Sequence, residues 1–420
     1  MTALRDGPAS RHFAPVPVRG THRRDELKGR AFSREMRAAA AQAPHGRCVA
    51  WGIAFEVRKL LVVRRAPVAV RIAPTRAPWL VFLHTSDVRP NETDESGFTP
   101  ATSGEARLGE RAADYVFVYE DGVEERVPIR RRHEVGVISS RWGENCTLCV
   151  SARKHKPLDG GHPEPLGGVT HSESWGPAQT RVAVVDRGPW TDYLWAFENP
   201  RPDVAVVGLR FEPVAGTLIV AGVSAGDVAS MPLRWGTRRK AILTLPKRTE
   251  FDHALDREGL LSQLQLDLGQ VISARPRLLY PNRRWARTRQ NLQPTRAGNE
   301  VIVEYAAHPE ACFHLADGRE IPASQVAEGA SAGRWRLESV RSATQRVKVR
   351  VIEKASGKPV PVKLHAHGAA GEYLTPLDRH RIVNPAWFEE YCADLHHGDH
   401  QCAYISGETV IDLQIGRAHV

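Results

Sequence analysis

Tyr115–Arg130, YVFVYEDGVEERVPIR, decides the fold class. Tyr115–Tyr119 is a run of aromatic and β-branched residues, which suit a pleated, half-buried surface. Glu120-Asp121-Gly122 follows, and Asp-Gly accepts the φ > 0 geometry of a tight hairpin. Glu124–Arg130 then returns as the partner strand.

The same texture extends outward. Ala66–Ile72 and Trp79–His84 precede the hairpin as short apolar runs. Thr180–Val185, Asp192–Phe197, Val204–Glu212 and Thr217–Val223 follow it, separated by turn residues at short intervals. That spacing predicts a mainly β chain beginning with a jelly-roll or β-sandwich domain over about 45–245. Pro90–Gly109 and Ser151–Ser174 read as long polar loops. In Leu260–Ile272 the leucines fit a helix face or a strand. The alternation of Leu264, Leu266 and Leu268 with Gln265 and Asp267 favours a strand. Arg275–Tyr280 and Asn299–Tyr305 continue a β extension over about 246–340, with Gly318–Arg336 as a linker. Val347, Val349 and Val351 open a last unit over about 345–413. After a turn at Ala355-Ser356-Gly357, Pro359–Leu364 is expected to return as their partner. This unit reads as a truncated Ig-like or transthyretin-like sandwich.

Composition is ordinary for a globular protein, at 42% hydrophobic and 25% charged residues. The net charge of +10 is concentrated at the front: residues 1–50 carry ten Lys/Arg against four Asp/Glu. Residues 1–44 read as a basic leader, partly helical or disordered, with Asp25–Ala41 the best helix candidate. No aromatic residues interleave with its charges in a nucleic-acid pattern, so nucleic acid is not an expected partner. No apolar run approaches the roughly 20 residues of a membrane span, and no signal peptide is visible. The compartment stays open. Six dispersed cysteines do not suggest a disulfide framework, and the lone Cys146-Thr147-Leu148-Cys149 is a weak zinc or redox motif, read as structural thiols.

Several segments resemble one family. The Tyr115–Arg130 hairpin, with Trp142 beyond it, resembles galactose-binding-like jelly rolls of bacterial polysaccharide-processing enzymes and metallohydrolases. Glu198-Asn199-Pro200-Arg201-Pro202-Asp203 is similar to a turn of that fold. Gly357–Pro361 with Lys363-Leu364-His365, Tyr373–Pro376 and Val383–Tyr391 resembles a carboxypeptidase-regulatory-like domain. In this order they resemble the N-terminal accessory region of CehA/McbA-type metallohydrolases of the PHP superfamily. The resemblance implies a catalytic domain farther along, holding divalent metal on a Gly-Asp-x-His-x-His motif. The chain lacks that motif: Asp394-Leu395-His396 has Gly398 where the second histidine belongs. Ile415–Val420, IGRAHV, resembles the translation of a sequencing adapter. The expectation is therefore a non-native tail on a protein that continues past Leu413.

Candidate chemistry follows from residue type and spacing. His365-Ala366-His367 puts two imidazoles on one side of a strand, as metal sites use. His396, His397 and His400 crowd a short segment beside Gly398. Surface strand and loop histidines are the plainer reading of both, so no metal, catalytic or cofactor-binding residue is assigned. Glu198 and Asp203 could act as an acid–base pair, but nothing buries one and exposes the other, so a turn with solvated acids is the plainer reading. Trp142, Trp175, Trp190 and Trp195 could stack on a pyranose ring, but core tryptophans of a sandwich are the plainer reading. The resemblance thus implies a non-catalytic accessory β portion of a PHP-type metal-dependent hydrolase, with the catalytic domain as its partner. The alternative is a carbohydrate- or surface-binding β-sandwich without enzymatic activity, taking a carbohydrate or other small molecule.

Overall fold

The computed structural model describes residues 4–89, 95–96, 107–139, 146–154, 157, 189–237, 239–280, 294–372, 374, 376–378, 382–383, 390–391, 395–397 and 400–413. The chain is mainly antiparallel β, as the hairpin pattern predicts. Its first strands are β1 (Phe13–Val16), β2 (Gly46–Ala50), β3 (Ile53–Val57), β4 (Leu61–Val63), β5 (Val68–Thr75) and β6 (Trp79–Ser86). Next come β7 (Arg111–Tyr119), β8 (Glu124–Arg130), β9 (Val150–Ser151), β10 (Tyr193–Glu198), β11 (Val206–Pro213) and β12 (Leu218–Gly226). The quoted stretch is the β7–β8 hairpin: Tyr119 N donates to Val123 O at 2.9 Å, and Gly122 has φ 83°.

Two sheets form the sandwich. One runs β1-β12-β6-β10-β9 with β4 also on β12, and the other runs β5-β11-β7-β8. Residues alternate across a strand, and here both sides are used. Leu80 and Phe82 of β6 enter the sandwich core with Tyr115, Phe117, Trp195, Phe197 and Phe211. Trp79, Val81 and Leu83 of the same strand enter a second core on the opposite face. This explains why WLVFLH is apolar throughout: a sheet covered on both faces shows no polar alternation. Within the sandwich the Phe117 and Phe197 rings stack at 3.8 Å and Tyr115 meets Phe211 edge-on at 4.8 Å. Such pairs add about 0.5–1.5 kcal/mol each beyond their burial.

The covering layer corrects the leader. Residues 4–44 are not a detached arm: β1 pairs with β12, Phe13 opposite Gly226, and Leu4, Leu27, Phe32 and Met36 are buried. The charges dominate the composition there, but widely spaced apolar residues carry the packing. The helix is shorter than expected, α1 (Arg34–Ala39), capped by Ser33, whose Oγ accepts from Met36 N at 3.0 Å.

The second unit comprises β13 (Arg239–Thr244), β14 (Leu264–Leu266), β15 (Gly269–Leu279), β16 (Thr295–Ala307), β17 (Cys312–Leu315), β18 (Glu320–Pro322), β19 (Ala330–Ala332) and β20 (Trp335–Ser339). Its sheets are β15-β16-β13-β20-β19 and β14-β17-β18. Two boundaries move. β13 belongs here rather than to the sandwich, so the division falls between Gly226 and Arg239. Gly318–Arg336 is not a linker: it holds β18, β19 and the start of β20, strands of three to five residues that carry too little periodicity to read. The alternating leucines do form a strand, β14. Leu243, Val303, Phe313 and Leu337 join Ile53, Met36 and Val81 in one continuous core, so the second unit and the sandwich are not separate bodies.

The last unit holds β21 (Gln345–Arg350), β22 (Val362–Leu364), β23 (Ile382–Val383), β24 (Glu390–Tyr391), β25 (Leu395–His397), β26 (His400–Ile405) and β27 (Glu408–Leu413). The turn at Ala355-Ser356-Gly357 does bring the chain back, with Glu353 N donating to Lys358 O at 2.9 Å and Val360 N to Val351 O at 3.1 Å, but β21 itself lies before this pairing. It pairs with β27, Gln345 opposite Leu413, while β22 joins β26 and β25. Ile411, Ala366 and Leu374 form its small core. Thr180–Val185 and the IGRAHV tail lie outside the described residues.

Candidate functional site

Two places gather chemistry-bearing side chains. The first is where the last unit meets β15. After β22 the chain carries His365, buried Ala366 and His367 into a tight return: Gly368 N donates to Glu372 O at 2.8 Å and Leu374 N to Ala366 O at 2.9 Å. The His367 ring is buried and stacks on Tyr280 at 3.7 Å, with the His365 ring 6.4 Å away. Arg277 clamps the return, donating to Ala369 O and Ala370 O at 3.1 Å. Gly371 (φ 88°) lies so close to Leu278 O that a Cβ would come within 2.2 Å, which only glycine permits. Burial pushes the Glu372 carboxyl up, opposed by Lys240 and Arg277.

The His-x-His pair therefore sits in a docking joint rather than on an open strand face. The β22-β26-β25 sheet brings the strand of His400 beside β22, and backbone register sets His397 opposite His400. The side chains of His396, His397 and His400 lie outside the described residues. Among the described residues, no three His, Cys, Asp or Glu side chains converge as a metal-holding group.

The other sequence candidates separate. Trp142 and Trp175 lie outside the described residues. Trp190 and Trp195 are buried, at 9% and 6% exposure, so neither offers a face to a sugar. This corrects their stacking role: Trp195 packs against Phe82 at 5.4 Å, and Trp190 Nε1 donates to Asp192 Oδ2 at 3.0 Å. Glu198 and Asp203 are exposed turn acids. The buried member of that turn is Asn199, which accepts from Tyr119 Oη at 2.6 Å and donates to Ala77 O at 2.9 Å. The outer face of the β5-β11-β7-β8 sheet carries an alternating chain of charges, Arg111–Asp114–Arg126–Glu212–Arg210–Glu124, each paired with the next. Leader charges end up beside a hollow of about 630 Å³, lined by Arg23, Arg24, Asp25, His45, Arg58 and Lys59.

The second place is the junction of the leader, the sandwich and the second unit, and nothing in the sequence marks it. Lys154 is buried and its Nζ donates to Leu266 O at 2.7 Å and to Asp267 O. Asp6, also buried, accepts from Trp51 N at 2.9 Å and Lys154 N at 3.0 Å. Burial lowers the Lys154 ammonium pKa, with Asp6 and Asp267 resisting, and raises that of Asp6, with Lys154 resisting. Burial also pushes Asp267 up, but the His314 ring and the Cys312 and Leu268 amides outweigh it and hold the carboxyl below its ordinary range. A cavity of about 40 Å³ beside Lys154, walled by Leu260, Leu264 and Leu266, has room for water-sized occupants. The arrangement can lock three chain segments together. It pairs no nucleophile with a base.

Two further buried groups give a pH signature. Burial pushes Asp192 up to about 7. It pushes His84 down to about 4. His84 Nε2 faces the carbonyl of Glu134 at 2.9 Å and must donate there, leaving Nδ1 to accept from Tyr115 Oη at 2.9 Å. Unfolded, Asp192 loses its proton near 3.8; folded, near 7. Its contribution therefore falls as pH rises through that window. Unfolded His84 takes a proton below about 6.5 and the folded ring only below about 4, so stability is lost as pH falls through that window. The slopes oppose, each at most about 1.4 kcal/mol per pH unit. Relative to wild type, Asp192→Asn is expected to make stability rise more steeply from about pH 4 to 6.5 and to lose the Asp192 share of the decline toward 7. Urea unfolding across that range checks it; an unchanged profile would contradict the assignment.

Comparison with protein-family models gives no match, and neither does comparison with curated proteins.

Proposed function

We propose that the chain is a rigid, non-catalytic β platform, the accessory portion of a PHP-type metal-dependent hydrolase that positions substrate or supports a catalytic domain. The observation that carries this is the continuous core joining leader, sandwich and second unit, with the last unit clamped on by Arg277 and Tyr280. A platform that must hold geometry for another domain gains from sheets that share a core instead of hinging on linkers. Buried titratable groups at the junction suit this reading too, because Lys154 and Asp6 tie backbone segments together. Divalent metal belongs to the proposed catalytic domain, where metal-activated water would attack a phosphoester, amide or related bond. The alternative, a carbohydrate-binding β protein without an enzyme, is weakened by the burial of Trp190 and Trp195.

The test is to read the gene past the codon for Leu413 and produce both this chain and the extended product. With Mn²⁺ or Zn²⁺ and a chromogenic phosphodiester, only the extended protein is expected to turn over. Activity of the chain alone, or an extension without Asp-x-His-x-His, would sink the proposal.

A further inference from the structure

The Cys146-x-x-Cys149 motif has no part in the platform reading, and its geometry is specific. Its turn is pinned to the end of β8: Thr147 N donates to Arg132 O at 3.1 Å and Leu148 N to His133 O at 3.0 Å. His133 Nδ1 lies 2.8 Å from Thr147 Oγ1 and holds the turn from the side. Leu148 stands at the tip, 40% exposed. Cys146 is half-buried, within reach of solvent, and Cys149 is 4% exposed at the edge of the sandwich core. Only Thr147 and Leu148 separate the two cysteines, and the amides of both are tied down in the same turn. Cys48 and Cys312, by contrast, are both buried.

We propose that Cys146 and Cys149 form a reversible thiol–disulfide site that is oxidised by low-molecular-weight disulfides such as glutathione disulfide. The Cys146 thiolate attacks one sulfur of the disulfide, forming a mixed disulfide and releasing one glutathione thiolate, which takes the proton Cys146 gave up. Cys149 then loses its proton and attacks Sγ of Cys146. The intraloop disulfide forms, the second glutathione leaves with that proton, and two thiols have been oxidised as one disulfide is reduced. Burial, the Cys146 sulfur and Glu134 hold the Cys149 thiol protonated until the mixed disulfide places an electrophilic sulfur beside it. The reachable sulfur is the attacking one and the buried sulfur the resolving one.

Trypsin places both cysteines in one peptide, Trp142–Arg153 (WGENCTLCVSAR), so mass spectrometry without reductant reads the site directly. Folded, reduced protein treated with glutathione disulfide is expected to yield this peptide lighter by two hydrogens. The glutathione adduct should stay below about a tenth of the wild-type peptide and become the main species in Cys149→Ala. Dithiothreitol should reverse both. Cys146→Ser, a change at a half-buried position, should leave Cys149 unmodified while the protein stays folded by circular dichroism. An unreacted wild-type peptide, or a persistent adduct in place of the disulfide, would overturn the proposal.

Discussion

Lys154→Met is expected to destabilise the protein by about 3–5 kcal/mol, because it leaves two buried carbonyls without their donor and removes the cation that offsets the buried Asp6 charge. The ammonium lies in the protein and donates to the carbonyls of Leu266 and Asp267. Methionine fills much of the same volume but satisfies neither carbonyl, and it leaves the Asp6 carboxyl buried with only its two amide donors, Trp51 and Lys154. The effect should be shared: Asp6→Asn in the Lys154→Met background should cost less than Asp6→Asn alone, because the charge it removes no longer has a partner. Urea unfolding of the four proteins gives the cycle. A loss under about 1 kcal/mol for Lys154→Met would mean that the junction is held by apolar packing alone.

Arg131→Met is expected to cost about 3 kcal/mol. The Arg131 side chain is fully buried, and its guanidinium spans three elements. Nη1 donates to Ser86 Oγ at 2.7 Å and Asp87 O at 2.9 Å, and Nη2 to Ala215 O at 3.4 Å. Nε lies 2.9 Å from Glu110 Oε2, off the line of a hydrogen bond but in ion-pair contact. Burial draws the guanidinium pKa down to about 10, against the pull of Glu110, so the group stays charged at neutral pH. Gly216 makes room for it: a Cβ there would lie 2.5 Å from Nη2. Arg131→Lys should recover only part of the loss, since an ammonium cannot reproduce the planar fork. Equal stability of the lysine and arginine proteins would argue that charge, not the fork, is what matters.

What could be read beforehand was local. The β7–β8 hairpin was legible because Asp121-Gly122 states its turn in four residues, and β14 because three leucines alternate with polar residues. Pairings that close over distance were not. β21 finds β27, and Lys154 finds carbonyls 112 positions away, with no local pattern to announce either. Charge misled in the leader, where scattered Leu4, Phe13 and Met36 carry the packing under a basic exterior. For Trp190 and Trp195 residue type alone allowed a core or a sugar-stacking role, and burial settles on the core. The alternation of His365 and His367 was visible; the Tyr280 ring against His367 was not, because it comes from another unit.

Leader, sandwich and second unit share one core and should therefore unfold as one cooperative body. Native-state hydrogen exchange over a series of urea concentrations tests it most directly, comparing amides of β1, β6 and β16. The slowest amides of all three strands should exchange with one common free energy and one urea dependence. A β1 that opens at much lower free energy, or a β16 that opens independently of β6, would contradict it.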